Sequence, residues 1–456
     1  MFRPALITLF LVGVVSIAGQ ARAQAFTPCT DAVAFPELAG SACAVVPVPL
    51  RYGGTDAAET VDLFVRRFPA PEARRGVVWL VAGGPGESGA AFYPFLDTLR
   101  LAFPHHDLMM PDHRGTGYSS RICPDQEAAG SPDGLSLAGE EWGPCIGTVY
   151  QNQTRTHAFT ITNAARDLSF LISRYREPGE VQLYGVSYGT QLVLRMMQVA
   201  PVTVDGIILD GLVPPENAYQ WDLSHRTAVV DAVGRALLDA DQEAAFTRLL
   251  ADATPDATWL DKVPGRDLRR FMGTLLNFPE FRGRIPAIID ELSVGQTVEL
   301  ERTIAELEDS LAVLGRYPQS PPSLPLVMLV SGSENNARRD LTEVTVTTEA
   351  GGALFVSPLP GFLVANPLPL YPRDEAFAGS PAALPPTLVI HGTLDPNTPY
   401  EGALAHVAAL QAAGPVQMTA IDAGAHFLMF VAPDCFIRTA GAFVAGSAVP
   451  QTCLPE

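Results

Sequence analysis

Two alternating rhythms of apolar residues run through the first half of the chain. Short apolar or β-branched runs, Val77–Val81, Leu108–Met110, Val181–Tyr184 and Gly206–Leu209, are each followed by turn residues. Runs this short, without polar alternation, predict strands buried on both faces. Between them lie stretches of helical period, Ala164–Tyr175 and Thr190–Gln198. Strand alternating with helix predicts an α/β architecture, a mostly parallel sheet covered on both faces. Ahead of these, Ala44–Phe68 predicts an antiparallel hairpin with its turn at Gly53-Gly54.

From Pro214 to Pro386 the rhythm becomes helical, with periodic stretches at Ala228–Leu238, Glu243–Ala251, Leu268–Leu276 and Val298–Leu314. Pro-rich joints interrupt it at Pro318–Pro325 and Pro358–Pro372. Strands Thr387–Ile390 and Met418–Ile421 then resume the earlier pattern. The economical reading is one core in two parts, 24–213 and 387–456, with 214–386 as a helical cap inserted between them.

The first residues read as an address. Arg3 supplies a positive start, Ala5–Ala18 is apolar but short for a bilayer, and Ala21-Arg22-Ala23 offers a small-x-small cleavage pattern. Residues 1–23 are therefore expected to be a signal peptide, with an uncleaved anchor as the rival. No later stretch is long and apolar enough to span a membrane. Export suits the six cysteines, Cys29, Cys43, Cys123, Cys145, Cys435 and Cys453. Several connectivities are open on paper, and pairing of sequence neighbours is the simplest. No C-x-x-C or H-x-x-x-H spacing suggests a metal. A formal charge of −19 argues against nucleic acid or an anionic membrane as partner.

Chemistry enters at Gly185-Val186-Ser187-Tyr188-Gly189, placed between a predicted strand and a predicted helix. Such a turn holds a serine hydroxyl clear of the sheet, as acyl transfer requires. The nucleophile needs a base, itself oriented by an acid, in the chain order Ser, acid, His. His426 follows the Met418–Ile421 strand by a short loop and is the candidate base. His391 ends a strand and is expected to pack there, while His406 on a helix is expected to be solvated. Asp395 is the candidate acid, with Asp210 at an earlier strand end as competitor and Asp422 too close to His426 in sequence. The candidate oxyanion donors are the N–H groups of Tyr188 and Gly84, with Gly83 and Gly86 behind the latter.

Taken together, Gly83-Gly84-Pro85-Gly86, Asp112-His113-Arg114-Gly115-Thr116-Gly117-Tyr118-Ser119, Gly185–Thr190 and Gly392-Thr393-Leu394-Asp395 with Thr398-Pro399 resemble the prolyl and tripeptidyl aminopeptidase branch of the α/β-hydrolases. They run in family order over most of the chain. The resemblance implies an α/β-hydrolase fold with a mainly helical cap, and removal of residues from a free peptide N-terminus. It also implies cap carboxylates that hold the substrate ammonium. Glu334 matches an acidic segment of the relatives, although Ser331-Gly332-Ser333 lacks their cysteine and Asn335 replaces an acid. Glu87 and Glu216 are further candidates, and each of the three glutamates reads equally well as a solvated surface residue.

The leading expectation is an exported aminopeptidase on short peptides that needs neither metal nor organic cofactor. A carboxylic-ester hydrolase on the same fold is the alternative, because the scaffold fixes acyl transfer and not the leaving group. A catalytically silent binding protein is the reading from another class.

Overall fold

The computed structural model describes residues 25–53, 59–253 and 257–455. The predicted signal peptide, and Gly54 of the predicted hairpin turn, lie outside the described residues. The chain builds a ten-stranded sheet from β1 (Thr27–Pro28), β2 (Ala42–Pro49), β3 (Thr60–Phe68), β4 (Gly76–Val81), β5 (His106–Asp112), β6 (Glu180–Val186), β7 (Gly206–Asp210), β8 (Thr387–Gly392), β9 (Val416–Ile421) and β10 (Thr452–Cys453). Their spatial order is β1-β2-β3-β5-β4-β6-β7-β8-β9-β10. The first three strands join antiparallel, β3 also pairs antiparallel with β5, and every later pairing is parallel.

The strand chemistry follows this arrangement. β4, β5, β7 and β8 are buried at every position, as parallel strands flanked by helices must be. β2 instead alternates buried and exposed residues. Its outer neighbour β1 pairs only with Ala42 and Cys43, so the rest of β2 is an edge that tolerates Pro47 and Pro49.

Helices Ile161–Arg174 and Tyr188–Val199 bury Leu168, Leu171, Leu192 and Met196 against one face of the sheet. Helices Leu96–Ala102 and Pro433–Val444 bury Leu99 and Phe436 against the other. Between β7 and β8 the chain leaves the sheet for a run of helices. Several of these share their own apolar cluster, centred on Phe246, Phe271, Leu275, Ile289, Leu300 and Phe355. Helix Leu324–Ser333 does not join it. Its Leu326, Leu329 and Val330 pack into the core of the sheet, and Ser323 N donates to Gly86 O at 3.0 Å.

Disulfides link Cys29 to Cys43, Cys123 to Cys145 and Cys435 to Cys453. The first ties β1 to β2, and the last fastens the final helix to β10.

Candidate active site

Ser187 sits between β6 and the helix Tyr188–Val199 with φ 54° and ψ −124°. A non-glycine residue held there stores roughly 1–3 kcal/mol of backbone strain. The turn is cramped by the neighbouring strand: a Cβ on Gly189 would collide with the Val81 carbonyl oxygen. Ser187 N donates to Asp210 O at 2.9 Å, and Thr190 returns N–H and Oγ1 bonds to Ser187 O at 2.8 and 2.7 Å. These bonds hold the turn from both sides.

His426 and Asp395 come from loops after β9 and β8. His426 Nδ1 lies 2.8 Å from Asp395 Oδ2. Asp395 is completely buried, and its other bonds come from Asn397 N, Thr398 N and Thr398 Oγ1 at 2.7 to 2.9 Å. Burial alone would raise the Asp395 pKa, but the His426 charge and hydrogen bond outweigh it and hold the carboxyl well below its ordinary value. Burial pulls the His426 pKa down, and Asp395, helped by Asp210, lifts it above 6.5. Ser187 and His426 line one cavity of about 300 Å³, together with Gly84 and Tyr188. Tyr188 opens its helix, so its N–H has no partner within the helix. Gly84 has φ 107°, a conformation that favours glycine.

The remaining candidates separate clearly. Asp210 does not bond the His426 ring. Its oxygens accept from Tyr184 Oη at 2.8 Å, Leu428 N at 3.1 Å and Met429 N at 3.3 Å, which seats the turn that follows His426. His391 is buried, accepts from Leu212 N at 3.0 Å and faces Thr398 O at 2.7 Å. The expectation of a solvated His406 is corrected: it is half-buried, with Nδ1 2.6 Å from Val213 O, because its helix packs on the chain leaving β7. The Asp112–Ser119 segment is a support. Asp112 accepts from Gly89 N, Tyr118 N and Gln319 Nε2, while Arg114 grips Asp167 through Nε and Nη2.

Residues 76–252 match the family model described as the alpha/beta hydrolase fold, and residues 368–453 match that of TAP-like protein. The chain belongs to the α/β-hydrolases. It is 24% identical over 507 residues to "Serine protease Hip1" of Mycobacterium tuberculosis, an alignment spanning 98% of this chain and 95% of that protein. It is 28% identical over 202 residues to "Putative hydrolase YuaR" of Escherichia coli, covering 40% of this chain and 38% of that one. Among solved structures, a bromoperoxidase from Bacillus anthracis aligns at 16% identity and a TM-score of 0.39, over 88% of this chain and 99% of that one.

The glutamates of this α/β-hydrolase are not solvated, contrary to one of the two sequence readings. Glu334 is 4% exposed; its Oε2 accepts from Arg195 Nη2 at 3.1 Å and its Oε1 from Tyr371 Oη at 2.8 Å. Glu216 takes the same guanidinium at 2.7 and 2.9 Å, with Gln191 Nε2 at 2.7 Å and Ala378 N at 2.6 Å. Two carboxylates thus share one guanidinium beside the Ser187 cavity, and both line it. A carboxylate offers about four acceptor sites. Glu216 accepts four contacts from three donors, Arg195 Nη2, Gln191 Nε2 and Ala378 N, whereas Glu334 accepts two and keeps capacity to spare. Burial raises the Glu334 pKa, with Arg195 opposing and Glu216 adding to the rise. Glu87 is half-buried in the cavity wall, its pKa raised by burial against the pull of His426.

Sequence reasoning did not find Arg195, Gln191 or Tyr371. A signal existed for the first: Arg195 is a lone charge inside an otherwise apolar helical stretch, and its burial demands an anionic partner. Glu216 and Glu334, both named as candidates, lie too far away in sequence for spacing to pair them with Arg195.

Proposed function

We propose that the protein is an exported serine peptidase that removes residues from the free N-terminus of short peptides. The observation that carries this reading is the pair of carboxylates, Glu334 and Glu216, sharing the single Arg195 guanidinium on the wall of the cavity that holds Ser187. Two negative charges against one positive leave an anionic surplus suited to a substrate ammonium. Glu334, with acceptor sites to spare, is the anchor.

Ser187 Oγ attacks the scissile carbonyl as His426 takes its proton, and Asp395 holds the imidazole and stabilises its charged form. The Tyr188 and Gly84 N–H groups receive the oxyanion. His426 then gives the proton to the departing amine, and water, activated the same way, releases the acyl group from Ser187. The helical insertion 214–386 acts as the cap, since it contributes Glu216 and Glu334. Export is supported by the three disulfides and the signal-like first residues.

The test compares the mature chain with Ser187→Ala on aminoacyl, prolyl and tripeptidyl amides, free or blocked at the N-terminus, beside short acyl esters. Turnover of free-amine amides that disappears on blocking, and in Ser187→Ala, is expected. Turnover of esters alone would overturn the peptidase reading in favour of the ester hydrolase. Activity surviving in Ser187→Ala would overturn the nucleophile.

A further inference from the structure

The cavity holds a cationic group that the steps above do not use. Arg226 opens the helix Arg226–Ala236 in the insertion and lines the same cavity as Ser187 and His426. It is only 4% exposed. Its Nε is buried without a partner, and among the described residues no hydrogen bond or ion pair reaches its guanidinium. Burial lowers its pKa to about 10 against the pull of Asp395 and Asp222, so the group is charged at neutral pH.

The two carboxylates that act on Arg226 are committed elsewhere. Asp395 is saturated by His426, Thr398 and Asn397. Asp222 accepts from Ser224 N, Ser224 Oγ, His225 Nδ1 and Ala337 N. A guanidinium has five donors, and arginine is almost never buried without an anion. The cavity therefore offers a ready site for an anion.

Position decides which part of a substrate that anion belongs to. Arg226 acts electrostatically on both His426 and Asp395. His426 delivers its proton to the departing group, so a charge on the imidazole side faces the departing part. Glu334 and Glu216 cluster instead around Arg195, on the helix that follows Ser187. With about 300 Å³ of space, the anion must lie close to the bond being cut.

We propose that Arg226 binds a carboxylate carried by the departing residue, so that preferred substrates are short peptides whose C-terminal residue is the amine expelled as the acyl-enzyme forms. This inference rests on the peptidase reading. Recognition at both ends would make the enzyme a measurer of peptide length, with an ammonium held by Glu334 and a carboxylate held by Arg226.

The test uses peptides sharing one acyl part and ending in alanine, in alanine amide or in glutamic acid amide. Values of kcat/KM are measured for wild type, Arg226→Gln and Arg226→Lys. Wild type is expected to prefer free alanine over alanine amide by about tenfold or more, mainly through KM. That ratio should fall to within about twofold of one in Arg226→Gln and survive in part in Arg226→Lys. Preference for glutamic acid amide over alanine amide would assign the carboxylate to a side chain; preference for free alanine alone assigns it to the main chain. The ratio is taken within each variant, so a loss of folded protein cancels. A ratio of one in wild type, or an unchanged ratio in Arg226→Gln, would overturn the inference.

A second measurement separates it from the peptidase reading. N-acetylalanine and N-acetylalanine amide are compared as inhibitors of ester hydrolysis. Stronger inhibition by the carboxylate, lost in Arg226→Gln, keeps the anion site even if no peptide is cleaved. Equal inhibition by the two removes it even if peptides are cleaved.

Discussion

His426 titrates between opposing influences. Burial favours its neutral form, while Asp395 and Asp210 favour the charged form and prevail, so its pKa is raised above 6.5. Only the neutral imidazole can take the Ser187 proton. The acid limb of a plot of kcat/KM against pH is therefore expected above pH 6.5, with activity rising as His426 deprotonates. A limb below that value would contradict the Asp395–His426 pairing. The two acid candidates also predict different mutant behaviour. Asp395→Asn removes the carboxylate on the ring and should lower kcat by about 10⁴-fold. Asp210→Asn leaves the Asp395 bond to the ring in place and alters the bonds from Tyr184, Leu428 N and Met429 N and a secondary charge on His426, so its loss should stay within about tenfold. Equal losses would reassign the acid. Glu334→Gln should raise KM for free-amine peptides by about tenfold or more and leave short esters little affected.

At this scale the sequence was most legible in placement: it singled out Asp395 and His426, which bond at 2.8 Å, and Ser187, which shares a cavity with His426. It was least legible for Arg195 and Arg226. A single arginine in a helical stretch does not reveal whether it is buried, and its partners are supplied by distant segments.

Among elements, the turn at Ser187 makes the sharpest prediction. Gly189→Ala would press a methyl group onto the Val81 carbonyl, setting the first turn of the helix Tyr188–Val199 against the end of β4. Destabilisation of about 1–3 kcal/mol is expected, read as a lower denaturant midpoint. A variant as stable as wild type would show that the elbow has room. The central strands and the helices beside them were visible as short apolar runs and helical periods, because burial on two faces or on one leaves different patterns. Helix Leu324–Ser333 was not visible. Its residues are apolar nearly all round, so no period stands out, and it begins inside a Pro-rich joint that reads as a break. Yet this helix carries Glu334 to the cavity. The strands β1 and β10, two residues each, are too short for any pattern to register.

Across the whole molecule, two of the three disulfides, Cys29–Cys43 and Cys435–Cys453, fasten the margins of the sheet. Replacing Cys435 and Cys453 together by serine frees the last helix from β10, just beyond the loop that bears His426. A loss of roughly 2–4 kcal/mol is expected from the loop closed by the bond. Thermal unfolding with and without the substitutions measures it, and an unchanged midpoint would mean the packing of Phe436 suffices. The division into a core and a helical insertion could be read from the change of rhythm near Pro214 and Thr387. How the inserted helices meet could not, since their shared cluster joins residues as distant as Val230 and Phe355.

The strands on either side of that insertion, β7 and β8, are direct hydrogen-bonded neighbours. The chain thus departs from the sheet and returns to it at adjacent points. Closing such an excursion costs only about 0.6 kcal/mol more for each doubling of its length. The parts of this excursion that do not pack on the sheet, unlike helix Leu324–Ser333, can consequently be lengthened, shortened or exchanged while the pairing of Asp210 with Ile390 holds the sheet in register. Ser187, Asp395 and His426 lie outside the insertion, whereas Glu216, Arg226 and Glu334 lie within it. On the proposed function, inheritance can therefore revise what the enzyme accepts without reopening how it reacts.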